Sequence, residues 1–239
     1  MACGHPLRAR GATPQLTLRL APDPGYEREN FFVSQSNEQA YGMIELWPNW
    51  PDPMLIIIAP QGAGKSHLGA IWAQIASARI RPACSLGAED IEALAAAGPL
   101  LLEDADAIGA AEAGLFHLIN LMRERGASLV MTAKAQPVRW GLQTADLLSR
   151  LHLAPVTSLG PPDDELMRAV LIKLLVERQL IVDTGMISYV VARIERSLDA
   201  VRRFVDALDR EALARKARIT KALAADVLGA MGDSDELFL

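Results

Sequence analysis

The chain has 239 residues, of which 51% are hydrophobic and 22% are charged, and its formal net charge is -5. This composition is typical of a globular protein with one large or two small domains, and the acidic balance argues against non-specific nucleic-acid binding through a basic surface. Two separate cysteines do not make a disulfide framework, so we expect a reduced, cytoplasmic protein. The longest apolar runs have about six residues, whereas a membrane span needs about 20.

The N-terminal segment, residues 1–24, is predicted to be a flexible arm because it is rich in proline, glycine and arginine. Leucines alternate within its Gln15-Leu16-Thr17-Leu18-Arg19-Leu20 segment. Further along, the spacing of Ser36 and Gln39 predicts a capping box that opens a helix. This helix should run to about Trp47, because closely spaced prolines follow it.

Residues 25–160 show strand patterns that alternate with helix patterns. Met54 to Ile58 is a continuous apolar run rich in β-branched residues, which predicts a strand buried on both faces. The other predicted strands and helices are, in chain order, a helix at 65–79, a strand at 82–86, a helix at 88–97, a strand at 99–102, a helix at 110–125, and strands at 128–131 and 152–156. This alternation predicts an α/β domain with a parallel sheet between two layers of helices.

The pattern changes after Gly160-Pro161-Pro162. Residues 161–239 show helix patterns alone, and Asp163 is predicted to cap the first helix. The predicted helices are 163–178, 184–196, 198–216 and 220–231. The second domain is therefore expected to be entirely helical.

The segment after the first strand has the form of a P-loop: Ala59-Pro60-Gln61-Gly62-Ala63-Gly64-Lys65-Ser66. The glycines let the backbone curl so that consecutive N–H groups point at phosphate oxygens, and the positive end of the following helix faces the same place. Lys65 is expected to pair with the β- and γ-phosphates and Ser66 to ligate Mg²⁺. The context of strand, loop and helix predicts a site for ATP or ADP with Mg²⁺, bordered by His67.

Acidic and polar residues end the neighbouring predicted strands. Glu103 and Asp104 follow Leu100 to Leu102, where P-loop proteins place an acidic pair near the metal ion and the attacking water. We expect Glu103 to contact Mg²⁺ and Asp104 to polarise water. The reversed order of these two acids indicates slow hydrolysis. Thr132 ends the next strand and is a candidate for sensing the γ-phosphate.

Two arginines are candidates for contact with phosphate. Arg150 lies at a predicted helix end, from where it could reach the nucleotide of a neighbouring molecule. Arg202 lies on a helix of the second domain, from where it could fold over this chain's own nucleotide. Arg203 is an alternative to Arg202 if the register is shifted by one residue. A single arginine is most often a solvated surface residue. The position of each arginine in the fold must therefore decide whether it can contact phosphate.

With these motifs in place, the chain resembles AAA+ ATPases of the DnaA clade, and within them the Hda-type regulators, particularly the shorter alphaproteobacterial forms. The resemblance spans residues 26–228. Besides the P-loop and the acidic pair, it rests on motifs in a fixed order: Asn30-Phe31-Phe32-Val33, Phe116 to Asn120, Ser149-Arg150-Leu151, Gly160 to Asp163, and Arg202 to Arg210.

The resemblance implies a role for each motif. Phe31, Phe32 and Val33 would lie near the adenine, Thr132 would be sensor 1, Arg150 an arginine finger and Arg202 the sensor 2 arginine. In the arm, Gln15, Leu16, Leu18 and Leu20 resemble the peptide by which Hda-type proteins bind the sliding clamp of DNA polymerase III. The chain ends at Leu239, without room for the DNA-binding domain of an initiator, so direct sequence-specific DNA binding is not expected.

The function implied by the resemblance is negative regulation of replication initiation. Bound to the clamp, the protein would present Arg150 to the ATP of the initiator DnaA; a homo-oligomer is also compatible with this class. Two alternatives stay open. One is an ATPase of the DnaC and IstB type that loads a helicase, and the other is a clamp-tethered adaptor whose nucleotide is only structural.

Overall fold

The computed structural model describes Tyr26 and residues 28–236. Its first part contains five α-helices and five strands within the described residues. In chain order they are α1 (Glu38–Glu45), β1 (Met54–Ile58), α2 (Lys65–Ala76), β2 (Arg79–Pro82), α3 (Ile91–Ala96), β3 (Leu100–Glu103), α4 (Glu112–Glu124), β4 (Leu129–Ala133), α5 (Ala145–Leu151) and β5 (Val156–Ser158).

The five strands form one parallel sheet in the order β2-β3-β4-β1-β5. β1 lies between β4 and β5 and is buried along nearly its whole length, as its unbroken apolar sequence predicts. The predicted parallel sheet between two helical layers is confirmed. Because all strands are parallel, the loops after β1, β3 and β4 meet at one edge of the sheet.

Each face of the sheet carries its own apolar core. On one face, Leu55, Ile57 and Leu101 pack with residues of α1 and α2, including the fully buried Trp72. On the other face, alternate strand residues such as Ile56 and Met131 pack with α3, α4 and α5. This alternation follows from the period-two geometry of strands, which sends successive side chains to opposite faces.

Four helices follow the sheet: α6 (Asp164–Glu177), α7 (Thr184–Val191), α8 (Leu198–Arg215) and α9 (Lys221–Glu236). Their buried side chains form a third apolar cluster, drawn entirely from residues 166–227 and including Phe204. Asp163 caps α6 as predicted, because its Oδ1 accepts a hydrogen bond of 2.8 Å from the Leu166 N–H. We call this group of helices the lid, because α6 and α8 border the cleft described below.

Several predicted boundaries are wrong. α2 stops at Ala76 because Ser77 adopts a left-handed conformation, and β2 therefore comes earlier than the predicted strand, whose residues form a 3₁₀ segment, Ala83–Gly87. The last strand is Val156–Ser158, because His152 caps the end of α5. The predicted capping box is also wrong, since Asn37 precedes α1 and the Ser36 N–H donates to Asp163 instead.

Candidate nucleotide-binding site

The P-loop connects β1 to α2 at the carboxyl edge of the sheet. Gly62 and Gly64 have φ angles of 72° and 97°, which glycine adopts without the steric cost that a side chain imposes. α2 starts at Lys65, so its unpaired N–H groups face the loop. The local sequence thus produces the curled backbone and helix start that bind phosphate in other P-loops.

A cavity of about 260 Å³ opens in front of this loop. Six of the predicted residues line it from the loop and the start of α2, and others come from the ends of β3 and β4 and from the lid. The lining residues are Tyr26, Gln61, Gly62, Gly64, Lys65, Ser66, His67, Asp104, Lys134, Asp199 and Arg202. We call this cavity the phosphate subsite, because lysine, arginine and backbone N–H groups converge on it.

Of the predicted acidic pair, Asp104 rather than Glu103 lines the phosphate subsite. Its Oδ1 lies 3.3 Å from the Lys65 Nζ, and its backbone N–H donates to the Thr132 Oγ1 at 3.1 Å. Glu103 is the last residue of β3 and is half-buried, and the residue after Asp104 is the buried Ala105. Thr132 is fully buried. Because its hydroxyl accepts the hydrogen bond from Asp104, it fixes the chain that follows β3 at the carboxyl edge of the sheet.

The residues present fit an Mg²⁺ ion that arrives with a nucleotide. The Ser66 hydroxyl and the Asp104 carboxylate line the same cavity, and Mg²⁺ prefers such oxygen ligands while keeping several waters and phosphate oxygens. Among the described residues, no group of three or more His, Cys, Asp or Glu side chains could hold a metal alone. Glu103 as a metal ligand stays a prediction from the sequence.

A larger cavity of about 840 Å³ continues from Gly64 and His67. We call it the base subsite, because aromatic and apolar side chains line it, together with charged ones at its border. Phe31 and Phe32 line it together with Ala63, whereas Val33 is exposed on the surface. Leu166, Val170 and Leu174 of α6 form the opposite wall and were missed by the sequence analysis. The apolar periodicity of α6 was the only available signal for them, and it equally describes a core face.

Aromatic rings surround His67 at the junction of the two subsites. The His67 ring lies 5.2 Å from the Phe31 ring in an edge-on arrangement and 5.3 Å from the Tyr26 ring. Phe31 also stacks on Tyr41 of α1 at 5.5 Å. These contacts fix the wall on which a base can pack, because aromatic pairs at such distances stabilise one another.

The lid touches the P-loop directly. The Leu198 N–H donates to the Gly62 carbonyl at 2.8 Å, and a Cβ atom on Gly62 would overlap the Ser197 hydroxyl. Gly62 is therefore required by the lid contact as well as by its φ angle. Of the two candidate arginines, Arg202 lines both subsites, whereas Arg203 pairs with Glu195 at 3.3 Å and borders another groove between α8 and α9.

Arg150 lies elsewhere, on α5, with its guanidinium carbon 5.1 Å from the centre of the Phe116 ring. α4 anchors α5 at both ends. The Glu112 carboxylate accepts hydrogen bonds from the Gln143 and Thr144 N–H groups, which lowers the Glu112 pKa, and Arg123 donates to the Arg150 carbonyl at 3.3 Å. The structure thus brings Phe31, Phe32, Asp104, Arg202 and most of the P-loop residues to one cleft. Glu103, Thr132 and Val33 are not among the residues that line its two subsites, and Arg150 lies on a separate helix.

The predicted clamp-binding residues Gln15, Leu16, Leu18 and Leu20 lie outside the described residues. In the part of the chain that the structure describes, no helix is long and apolar enough to cross a bilayer.

The sequence matches no protein-family model, and a search of curated proteins finds no match. Its structure is similar to domain III of the Thermotoga maritima replication initiation protein DnaA, with a TM-score of 0.74 and 20% identity over 87% of this chain and 97% of that one. The AMPPCP-bound DnaA from Aquifex aeolicus gives 0.68 and 18%, over 81% and 69%. The Thermotoga maritima RuvB branch migration motor gives 0.65 and 16%, over 83% and 70%. The chain therefore has the AAA+ fold that DnaA domain III and RuvB share.

Proposed function

We propose that this protein is a nucleotide-binding regulator of DNA replication initiation of the Hda type, which stimulates ATP hydrolysis by DnaA while bound to the sliding clamp. The observation that carries the proposal is the separation of its two arginines. Arg202 lines the chain's own cleft, whereas Arg150 is held on α5 with its guanidinium over Phe116. An arginine presented away from its own nucleotide site is suited to serve a partner's site.

Nucleotide binding is supported by the chemistry of the two subsites. Lys65, Ser66 and Arg202 surround the phosphate subsite, and the base subsite has an aromatic wall. One structure of the same fold is an AMPPCP-bound DnaA, which supports ATP or ADP with Mg²⁺ as the ligand here. When bound, Mg²⁺ would neutralise phosphate charge, held by the Ser66 hydroxyl and the Asp104 carboxylate.

The chain's own hydrolysis is proposed to be slow. Asp104 pairs with Lys65, and the next residue is Ala105, which has no group that could take a proton from water. Glu103, the last residue of β3, is not among the residues that line the phosphate subsite. A P-loop protein needs one acid near the metal ion and a polar group that orients water, so the bound nucleotide here acts chiefly as a structural and regulatory ligand.

The anchoring of α5 supports a role for Arg150 as a finger that acts on a partner. Glu112 holds the start of α5 and Arg123 holds its end, so the helix that carries Arg150 need not be ordered when the partner binds. Pre-ordering reduces the entropy lost on association. An arginine finger raises phosphoryl-transfer rates by about 10³–10⁵-fold, which is enough to convert a slow initiator ATPase into a switched-off, ADP-bound form.

The decisive measurement is ATP hydrolysis by purified DnaA on DNA that carries the loaded clamp. Adding the unaltered protein should accelerate hydrolysis, and the Arg150→Ala variant should lose about 10³-fold of that stimulation. Arg125→Ala is the matched control, because Arg125 is an exposed arginine of the same domain that donates to the Glu92 carbonyl. Full stimulation by the Arg150→Ala variant would refute the finger assignment.

Clamp binding needs a separate test, because Gln15 and Leu16 lie outside the described residues. A pull-down on purified clamp should retain the unaltered chain and lose a variant with Gln15→Ala and Leu16→Ala, since the glutamine would supply hydrogen bonds and the leucine apolar contact in a groove. Retention on a replicative helicase instead of the clamp would favour the helicase-loader alternative. Clamp binding without any need for Arg150 would favour the adaptor.

A further inference from the structure

Asp199 places a second carboxylate in the phosphate subsite, and nothing in the proposed function uses it. It belongs to the first turn of α8 and lines the cavity together with Gly62, Lys65 and Ser66. Its Oδ2 lies 3.4 Å from the position that a Cβ atom on Gly62 would take, so the carboxylate rests against the P-loop backbone. Its Oδ1 accepts a hydrogen bond of 3.0 Å from the Arg202 Nη1.

Four charged side chains of the phosphate subsite form two ion pairs, and Lys134 is a further cation there. Lys65 pairs with Asp104, and Arg202 pairs with Asp199. The two acids differ in what they can do when a nucleotide binds. Asp104 lies beside Ser66 and Lys65, where an incoming Mg²⁺ can take its charge. Asp199 has Arg202 as its cation, and Arg202 is the same cation that a phosphate would need.

We propose that Asp199 is a specificity-determining residue that competes with the phosphates of a nucleotide for Arg202. A bound phosphate must either displace Asp199 from the Arg202 guanidinium or bind while the negatively charged Asp199 carboxylate stays close to it. Both cost free energy, and the cost rises with the number of phosphate charges in the subsite. Asp199 therefore weakens binding of the triphosphate more than binding of the diphosphate. The inference rests on the proposed nucleotide binding and concerns how the same cleft selects its ligand.

A purely structural role for Asp199 is a poor account of this placement. The N-terminus of α8 already has its cap, because Ser197 accepts a hydrogen bond from the Ala200 N–H at 3.4 Å. The Asp199 side chain is 51% exposed, so its removal leaves no buried cavity. A negative charge in the first turn stabilises a helix only modestly through the helix dipole. An asparagine at this position would lose that stabilisation without unfolding the helix.

The test is to measure the affinities of ADP and AMPPCP for the unaltered protein and for the Asp199→Asn variant by calorimetry. The variant should bind AMPPCP about tenfold more tightly and ADP about threefold more tightly, because it removes one charge facing the phosphates. The difference between the two ligands should shrink at high salt, since a screened charge discriminates less. Asp199→Glu, which retains the charge, should keep the ratio of the unaltered protein.

The matched control is Glu195→Gln, because Glu195 pairs with Arg203 at 3.3 Å beside the same helix but borders neither subsite among the described residues. Its affinities should match those of the unaltered protein. An AMPPCP-to-ADP affinity ratio that stays unchanged in Asp199→Asn, or that changes equally in Glu195→Gln, would overturn the inference alone. Failure of the unaltered protein to bind either nucleotide would instead overturn nucleotide binding, and the inference with it.

Discussion

Arg202 and Arg150 occupy opposite environments in the same chain. Arg202 points into the cleft between the α/β core and the lid, where Asp199 pairs with it and the P-loop lies beside it. Arg150 is held on α5 by contacts with α4 and rests on an aromatic ring. The contrast supports the proposal that Arg202 serves this chain's own ligand and Arg150 another molecule's ligand, because position within the fold rather than residue type separates the two.

The largest effect on nucleotide affinity is expected from removing the cleft arginine. Arg202→Ala should weaken nucleotide binding about tenfold or more, because hydrogen bonds between charged groups are worth about 1.5–3 kcal/mol. Arg203→Ala, one residue along the same helix, should leave the affinity unchanged because Arg203 faces Glu195. Calorimetric titration of both variants with ADP checks this, and equal losses would erase the distinction between the two side chains.

A smaller effect is expected on the other side of the comparison. Phe116→Leu removes the ring under Arg150 and should reduce stimulated hydrolysis by DnaA about two- to fivefold, the scale of an exposed cation–π contact of about 0.5–1 kcal/mol. Phe116→Tyr keeps the ring face and should retain stimulation. The test is the steady-state rate of ATP hydrolysis by DnaA with each variant. The nucleotide affinity of each variant is measured in parallel. A loss of affinity in Phe116→Leu would mean that α4 and the cleft are not independent.

A further effect, on stability rather than on activity, concerns the joint between core and lid. Asp163 caps α6 and also accepts a hydrogen bond from the Ser36 N–H at 3.2 Å. Burial raises the pKa of Asp163, but hydrogen bonds from Leu166, Ser34 and Ser36 outweigh it, so the pKa lies below its ordinary value. Because the pKa is lowered in the folded state, ionised Asp163 stabilises the fold at pH values above the unfolded-state pKa of about 3.9. This stabilisation is lost as the pH falls through the pKa of the folded state.

Urea unfolding between about pH 6 and pH 3 should therefore show a loss of about 1 kcal/mol in the unaltered protein that Asp163→Asn lacks, a magnitude typical of a helix cap. Asp183→Asn is the control, because Asp183 caps α7 within the lid through the Met186 N–H. If the two variants gave the same pH profile, the link from Asp163 to Ser36 would add nothing to the joint.

The features predicted correctly from the sequence are those set by neighbouring residues. The P-loop, the Asp163 cap and the buried strand Met54–Ile58 each follow from a short stretch of chain. The two edge strands were misplaced because Arg79–Pro82 and Val156–Ser158 bury few side chains and carry no apolar run. An edge strand owes its place to its paired neighbour, which a local pattern does not reveal.

The cleft was only half predictable for the same reason. Its P-loop side follows from sequence, but its lid side depends on how α6 and α8 dock. Neither the apolar wall of α6 nor the approach of Asp199 to Gly62 is visible in the spacing of residues. The choice between Arg202 and Arg203 likewise depends on the rotation of α8 about its axis, which is set by the burial of Val201 and Phe204 in the lid core.

The hydrogen bond from Leu198 to Gly62 has a mechanical consequence. α8 starts at this bond and runs for 18 residues, a length of about 27 Å at 1.5 Å per residue. A rigid rod that pivots at one end amplifies a small displacement there into a larger sweep at the other. Any movement of the P-loop backbone on ligand binding would thus be passed to the far end of α8, where Arg215 bridges to α9. The connection between the P-loop and α8 is a hydrogen bond between backbone groups, so no side chain mediates it.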